Sequence, residues 1–326
     1  MVKKAELHVH LEGTIYPELA RVLAKRNNLP LPPNLIAPDG KRYLFDDFLH
    51  FLKVYDVLAD LIRVPQDYYD LTFDYLKRNA ADDVIYIEMM YSPEHAERVS
   101  GMASKEHLAA IDQAIRDAED KFGIVGRIIM VGVRHYGVDA VNHVAEETIK
   151  QESPYIVGLG LGGDEAGFPP KLFEKAYRMV HEAGLGCTVH AGEFSDEHGM
   201  MEALKHLPVQ RLGHALYSLA SPELTAVMKD RNIAIESCPS STVCFGIEPD
   251  LAAHPFPKFL EAGFHVSLNS DDPPFVDTTV AKEYTRMQET FGFSDEVLES
   301  ITMMALDAAF CDEATREKLR RVCREG

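Results

Sequence analysis

Short apolar, β-branched runs alternate with longer stretches of helical period along the whole chain. The runs at residues 5–10, 84–91, 126–134, 155–161, 186–190, 211–214, 232–237 and 265–269 are read as strands. Between them, segments such as 17–25, 105–122, 170–183, 200–206 and 222–231 are mostly apolar at helical spacing. In the first of these, Leu19, Val22 and Leu23 form an i, i+3, i+4 stripe expected to face inward, with Arg21, Lys25 and Arg26 toward water. Successive strand-plus-helix units predict a parallel sheet, and eight of them close into a (β/α)8 barrel. The alternative, an open doubly wound sheet, favours a glycine-rich first turn. Here His10 is followed by Leu11-Glu12-Gly13-Thr14, without GxGxxG. The expectation is therefore a single barrel domain over residues 1–326, with closing helices over 294–324.

One excursion, about 14–80, interrupts the rhythm after the first strand. It holds a Pro-rich stretch at 28–40 and then 43–61, which carries Phe45, Phe48, Phe51, Leu52 and Tyr55. Because it starts at the barrel mouth, it is read as a partly helical lid.

The 46% hydrophobic content can fill a large core in one barrel of 326 residues. Charge narrows the partners: 33 Lys plus Arg face 52 Asp plus Glu, a net charge of -19. That field repels phosphate backbones and anionic lipids, so neither nucleic acid nor a membrane surface is expected as partner. A small neutral or cationic molecule fits better. Met1-Val2-Lys3-Lys4 runs straight into the first strand with no apolar core of a signal peptide, and no later stretch is suited to spanning a bilayer. The five cysteines form no CxxC pair and read as reduced thiols, so a cytoplasmic protein is expected.

The chemistry concentrates at strand ends. His8 and His10 lie two apart on the first strand and project from one face. His190 ends the fifth strand, His214 ends the sixth, and Asp271 follows the eighth. A barrel gathers these ends around one mouth. Imidazoles with one carboxylate suit Zn²⁺, one ion per chain, and a catalytic zinc keeps a position for water. The remaining histidines, such as His50, His95, His181 and His254, are read as surface or packing residues.

The local strings are specific: His8-Val9-His10-Leu11-Glu12-Gly13, Gly162-Gly163-Asp164-Glu165, His190-Ala191-Gly192-Glu193, Gly213-His214-Ala215 and Ser267-Leu268-Asn269-Ser270-Asp271-Asp272-Pro273. In this order and spacing the chain resembles the adenosine and adenine deaminase family of metal-dependent amidohydrolases. The resemblance implies a zinc barrel that replaces the 6-amino group of a purine with oxygen. It makes His8, His10, His190 and Asp271 the zinc ligands and Glu193 the proton donor to purine N1. It makes His214 the group that orients and deprotonates the attacking water, Asp272 the partner of N7, and Gly163 a backbone donor to N3. Phe48, Phe51, Leu52 and Tyr55 would form the apolar gate. The chemistry agrees: attack at C6 breaks aromaticity, so a proton must reach N1, and Glu193 must carry it when substrate binds. N7 is an acceptor, so Asp272 must hold or share a proton.

Two motifs point to different substrates. Glu12 stands where adenosine deaminases often have Asp against the ribose, as in adenine deaminases and some bacterial adenosine enzymes. Gly162-Gly163-Asp164-Glu165 resembles the adenosine type instead. Adenosine is the expectation, with Glu12 reaching a ribose hydroxyl; adenine and N6-substituted aminopurines remain open. Two further readings are a metal-dependent phosphoesterase, which also opens with HxH and would have a mouth rich in Lys and Arg, and a silent binding protein on the same fold. The nucleic-acid base deaminase motif is excluded, because His95-Ala96-Glu97 has no P-C-x-x-C to complete it.

Overall fold

In a computed structural model describing residues 2–325, eight strands pair in parallel in chain order. They are β1 (Lys4–His10), β2 (Val84–Tyr91), β3 (Val125–Val133), β4 (Ile156–Gly162), β5 (Gly186–Ala191), β6 (Arg211–His214), β7 (Ala234–Ser237) and β8 (Val266–Leu268). The last closes on the first: the His10 N–H donates to Asp271 O at 3.0 Å, and the Asp271 N–H to His8 O at 3.2 Å. The strands are almost wholly buried, as parallel strands covered by helices must be. The barrel is thus the one expected from the sequence.

Helices fall where the periodicity puts them, with two adjustments. Segment 170–183 divides into a 3-10 turn, Pro170–Phe173, and a helix, Glu174–Glu182. In the helix Pro17–Arg26 the inward face is Pro17, Ala20, Leu23 and Ala24, while Val22 is 50% exposed and Leu19 only half-buried. Alanines bring this helix backbone close to the barrel, so the small side chains, and not the largest apolar ones, mark its buried face.

Between β1 and β2 lie three helices, Pro17–Arg26, Phe48–Ala59 and Pro65–Ala81. Phe48–Ala59 is the one that covers the mouth; Asp47 caps it by accepting the His50 N–H at 2.8 Å. Pro65–Ala81 is a barrel helix that buries Tyr68, Leu71 and Tyr75. The helices Asp295–Ala308 and Glu313–Glu325 close the chain. All five cysteines are free, and among the described residues no helix is long and apolar enough to cross a membrane.

The barrel interior is charged as well as apolar. The guanidinium of Arg211 sits between Glu88 and Glu236, 2.6 Å from each, with all three side chains fully buried. Thr188 also donates to Glu236, at 2.9 Å. Buried charges survive only when paired and hydrogen-bonded, and here each is.

Candidate active site

The C-terminal ends of β1, β5, β6 and β8 bring the predicted ligands together. Donor atoms of His8, His190, His214 and Asp271 all lie within 4.8 Å of one another, as do those of His10, Asp271 and Asp272. Nε2 of His10 is 3.1 Å from Nε2 of His190, and Nε2 of both His8 and His10 is 3.5 Å from Asp271 Oδ1. Glu236 occupies the other ring nitrogen of His8, at 2.8 Å, which leaves Nε2 free to ligate.

This cluster fits a divalent metal ion on its own chemistry. Nε2 of His8 and both ring nitrogens of His214 are buried without a partner. Burial pushes His10 and His214 down to about 4 and His190 well below the usual histidine range, so these imidazoles are neutral, as ligands must be. Burial disfavours charge on His8 too, but its contacts with Asp271 and Glu236 outweigh it and take His8 up to about 10. Burial likewise opposes ionisation of Asp271, yet the His8 hydrogen bond and the neighbouring histidines keep it a carboxylate. In this metal-free cluster the proton on His8 balances the Asp271 carboxylate, a place that a bound cation would take over as His8 gave up that proton.

Its backbone is strained to match. His214, Ala215 and Asp271 have φ of 61°, 50° and 62°, each a conformation that disfavours a non-glycine residue by about 1–3 kcal/mol. Tertiary hydrogen bonds hold them: Ala215 N–H to Ala191 O at 3.2 Å, and Ser241 Oγ to Asp271 Oδ2 at 2.6 Å. Beneath Asp271, Glu6 accepts from both the backbone N–H and the hydroxyl of Ser270, at 2.8 and 2.5 Å.

Glu193 leaves β5 through a turn at Gly192, φ 82°. The carboxylate of Glu165 accepts three successive backbone N–H groups there, from Gly192 (2.5 Å), Glu193 (3.1 Å) and Phe194 (2.9 Å). The Glu193 carboxyl lies 3.4 Å from His214 Nε2. Burial, then the charges of Asp271 and Glu165, raise it well above the usual carboxylate range, so it is a neutral acid. Asp272 is raised in the same direction by burial and by Asp271. Its seat exists because residue 13 is glycine: a Cβ there would fall 1.8 Å from Asp272 Oδ1.

A cavity opens over these groups, lined on one wall by Phe48, Phe51, Leu52 and Tyr55 of the lid helix, as expected, together with Phe245. The Phe48 ring lies 3.9 Å from that of Phe194. Glu12 and Gly163 line it as well. Glu12 is buried; its Oε1 accepts from Tyr68 Oη at 3.0 Å and the Ser92 N–H at 3.3 Å, and burial takes it up to about 7. No Lys or Arg is among the described lining residues.

His95 was expected to be a surface or packing residue, but it lines this cavity, as do Asp56, Ser92, His135 and Tyr136. Their signal was positional. Ser92 and His95 follow the end of β2, and His135 and Tyr136 follow the end of β3, where barrel strands open onto the mouth.

A parallel barrel that collects four histidines and two aspartates at one mouth, beside a buried glutamate, has the make-up of a hydrolase of the amidohydrolase type. The chain belongs to the adenosine deaminase family, which it matches over residues 3–325. It is 39% identical over 319 residues to an adenine deaminase of Chelativorans sp. (strain BNC1), covering 98% of this chain and 97% of that one. The crystal structure of an adenine deaminase from Arthrobacter aurescens superimposes with a TM-score of 0.92 at 30% identity, covering 100% of this chain and 99% of that one. An amidohydrolase from Burkholderia ambifaria, solved with bound Zn, gives 0.89 at 27% identity, covering 99% and 90%. The chain is thus a purine-deaminase-family hydrolase acting on a C–N bond.

Proposed function

We propose that this chain hydrolyses the exocyclic C6–N bond of an aminopurine, converting an adenine ring to a hypoxanthine ring with release of ammonia. We propose further that one Zn²⁺ per chain is held by His8, His10, His190 and Asp271; the imidazole–carboxylate donor set and the zinc in the Burkholderia ambifaria amidohydrolase support that choice. Zinc bound there supplies a Lewis acid that lowers the pKa of a water to about 7.

The chain's own residues supply the rest. Glu193, neutral by burial, gives its proton to ring N1 as C6 loses aromaticity. His214, neutral and 3.4 Å from Glu193, orients the attacking water and takes its proton. Asp272, held as an acid, donates to N7, and the Gly163 N–H donates to N3. Phe48, Phe51, Leu52 and Tyr55 exclude water from the ring. The observation that carries this reading is the buried Glu193 carboxyl, 3.4 Å from His214 Nε2, at the rim of the imidazole–carboxylate cluster. A phosphoesterase would need cations where this cavity has Glu12, Asp56, Glu193 and Asp272.

Free adenine and adenosine share the ring this machinery addresses. The names of the relatives support adenine, and do not support the adenosine expected from the sequence. The adenosine-like segment Gly162-Gly163-Asp164-Glu165 supports the nucleoside. The test is ammonia release, with loss of the adenine absorbance band, over a panel of 6-aminopurines. Turnover should vanish with a chelator and return with Zn²⁺. A zinc-loaded protein that deaminates no 6-aminopurine overturns the reading.

A further inference from the structure

The proposed ligand His190 and the proposed proton donor Glu193 are close in sequence, yet they stand on different supports. His190 lies within β5 and pairs with Gly213 of β6. Its carbonyl accepts from the buried guanidinium of Arg134, which also donates to Phe168 O at 2.8 Å. Glu193 lies past the end of β5 at Ala191 and before the helix Glu197–His206, in a loop whose amides find their acceptor outside both elements. Gly192 opens that loop with φ 82°, and a Cβ there would fall 2.5 Å from Met200 Sδ.

Three successive N–H groups then converge on one side chain. Glu165, buried in the loop after β4, accepts from Gly192, Glu193 and Phe194 at 2.5, 3.1 and 2.9 Å, and from the Ser195 hydroxyl as well. Converging amides form an anion site, and here the chain supplies the anion itself. A carboxylate has about four lone-pair sites, which these donors use up. Glu165 is not among the described lining residues of the cavity, so what it contributes reaches a bound ring through Glu193.

We infer that Glu165 is a positioning residue for the reaction: its hold on the three amides fixes the Glu193 carboxyl 3.4 Å from His214 Nε2 and leaves the metal ligands to other supports. The inference rests on Glu193 as the proton donor proposed above. Without Glu165 the loop after Ala191 is freed, while the β5–β6 ladder and Arg134 keep His190 in place. Proton delivery depends on close placement of the acid, so the chemical step suffers and metal binding does not.

The experiment measures kcat, KM for the best 6-aminopurine and zinc affinity in the full chain carrying Glu165→Gln, Glu193→Gln or both. Glu165→Gln turns one acceptor oxygen into an NH2 group, which faces two of the donors whichever way the amide is placed. Its kcat should fall about 10- to 100-fold, with KM within about threefold of wild type and zinc affinity unchanged. The double variant should be at most about twofold slower than Glu193→Gln alone, because a residue that acts through Glu193 then has nothing to act on. A merely structural glutamate would add its loss to both backgrounds. If Glu165→Gln does not fold, amide hydrogen exchange of the wild type reads the same hold: Gly192, Glu193 and Phe194 should be as protected as β5, and exchange at the rate of exposed loops overturns the inference. A wild-type rate in Glu165→Gln, loss of zinc in place of rate, or losses that multiply in the double variant overturns the inference while the aminopurine reading stands. A wild type that deaminates no 6-aminopurine overturns that reading first, and the inference with it.

Discussion

His8 and Glu236 meet at 2.8 Å, Nδ1 to Oε2, and neither side chain is exposed at all. The contact sets which nitrogen of His8 faces the ligand cluster, and the same carboxylate is held from behind by Arg211 at 2.6 Å. Glu236→Gln keeps the shape but offers a weaker acceptor to the ring N–H. Zinc affinity, measured by competition with a chromophoric chelator, should fall about 10- to 100-fold. Unchanged affinity would show that His8 needs no partner to ligate.

Glu193→Gln separates binding from proton delivery. The amide preserves size but has no acidic proton, so kcat should drop by about 10² to 10⁴ while zinc content stays at the wild-type level. Zinc by emission spectroscopy and single-turnover rates check both halves; a nearly normal rate would assign the N1 proton to another group.

Gly13→Ala tests the seat of Asp272. The new methyl would collide with Asp272 Oδ1, although Gly13 has no strained φ of its own. Asp272 must swing away, so kcat/KM should fall at least about tenfold with circular dichroism and melting little changed. A fully active variant would remove Asp272 from the substrate contacts.

The lid offers a paired test. Phe51 is 5% exposed and packs on Phe245 and Phe275 at ring distances of 4.9 and 5.2 Å, whereas Phe48 is only half-buried. Phe51→Ala should therefore destabilise the fold by about 3–5 kcal/mol as well as raise KM. Phe48→Ala should raise KM with a much smaller loss in denaturant stability. Equal stability losses in the two variants would make Phe48 core and not gate.

His254 supplies a pH dependence away from the mouth. It is buried, its Nδ1 accepts the Phe256 N–H at 3.1 Å, and burial lowers it from 6.5 to about 3. The unfolded chain binds the proton that the folded one refuses. Stability from this group is therefore complete above pH 6.5 and is lost as pH falls toward about 3. Between pH 6 and 4, wild type should lose up to about 1.4 kcal/mol per pH unit more than His254→Asn, whose amide oxygen can replace Nδ1. Parallel urea-stability profiles would show that His254 stays solvated.

Much of this architecture was legible because buried parallel strands read as continuous apolar runs. The bounds of β2 and β6 coincide with the expected 84–91 and 211–214, and the other strands differ by one or two residues at one or both ends. The expected ligands were legible because a barrel converts strand-end position into proximity. The supporting carboxylates were not, since Glu165 and Glu236 act on atoms distant in sequence. A weaker signal was present: Glu6, Glu88, Arg211 and Glu236 interrupt apolar strands, and charge in such a place requires a partner. The helix Pro17–Arg26 misled for the opposite reason, because its packing face is built from alanines.

The ring contact between Phe48 and Phe194 ties the lid to the residue that follows Glu193. Burial is the largest cause of the raised proton affinity of Glu193, and this aromatic pair packs beside it at the cavity. A lid helix that packs beside Glu193 thus couples two properties usually tuned separately, access to the site and the proton affinity of the acid proposed to serve it.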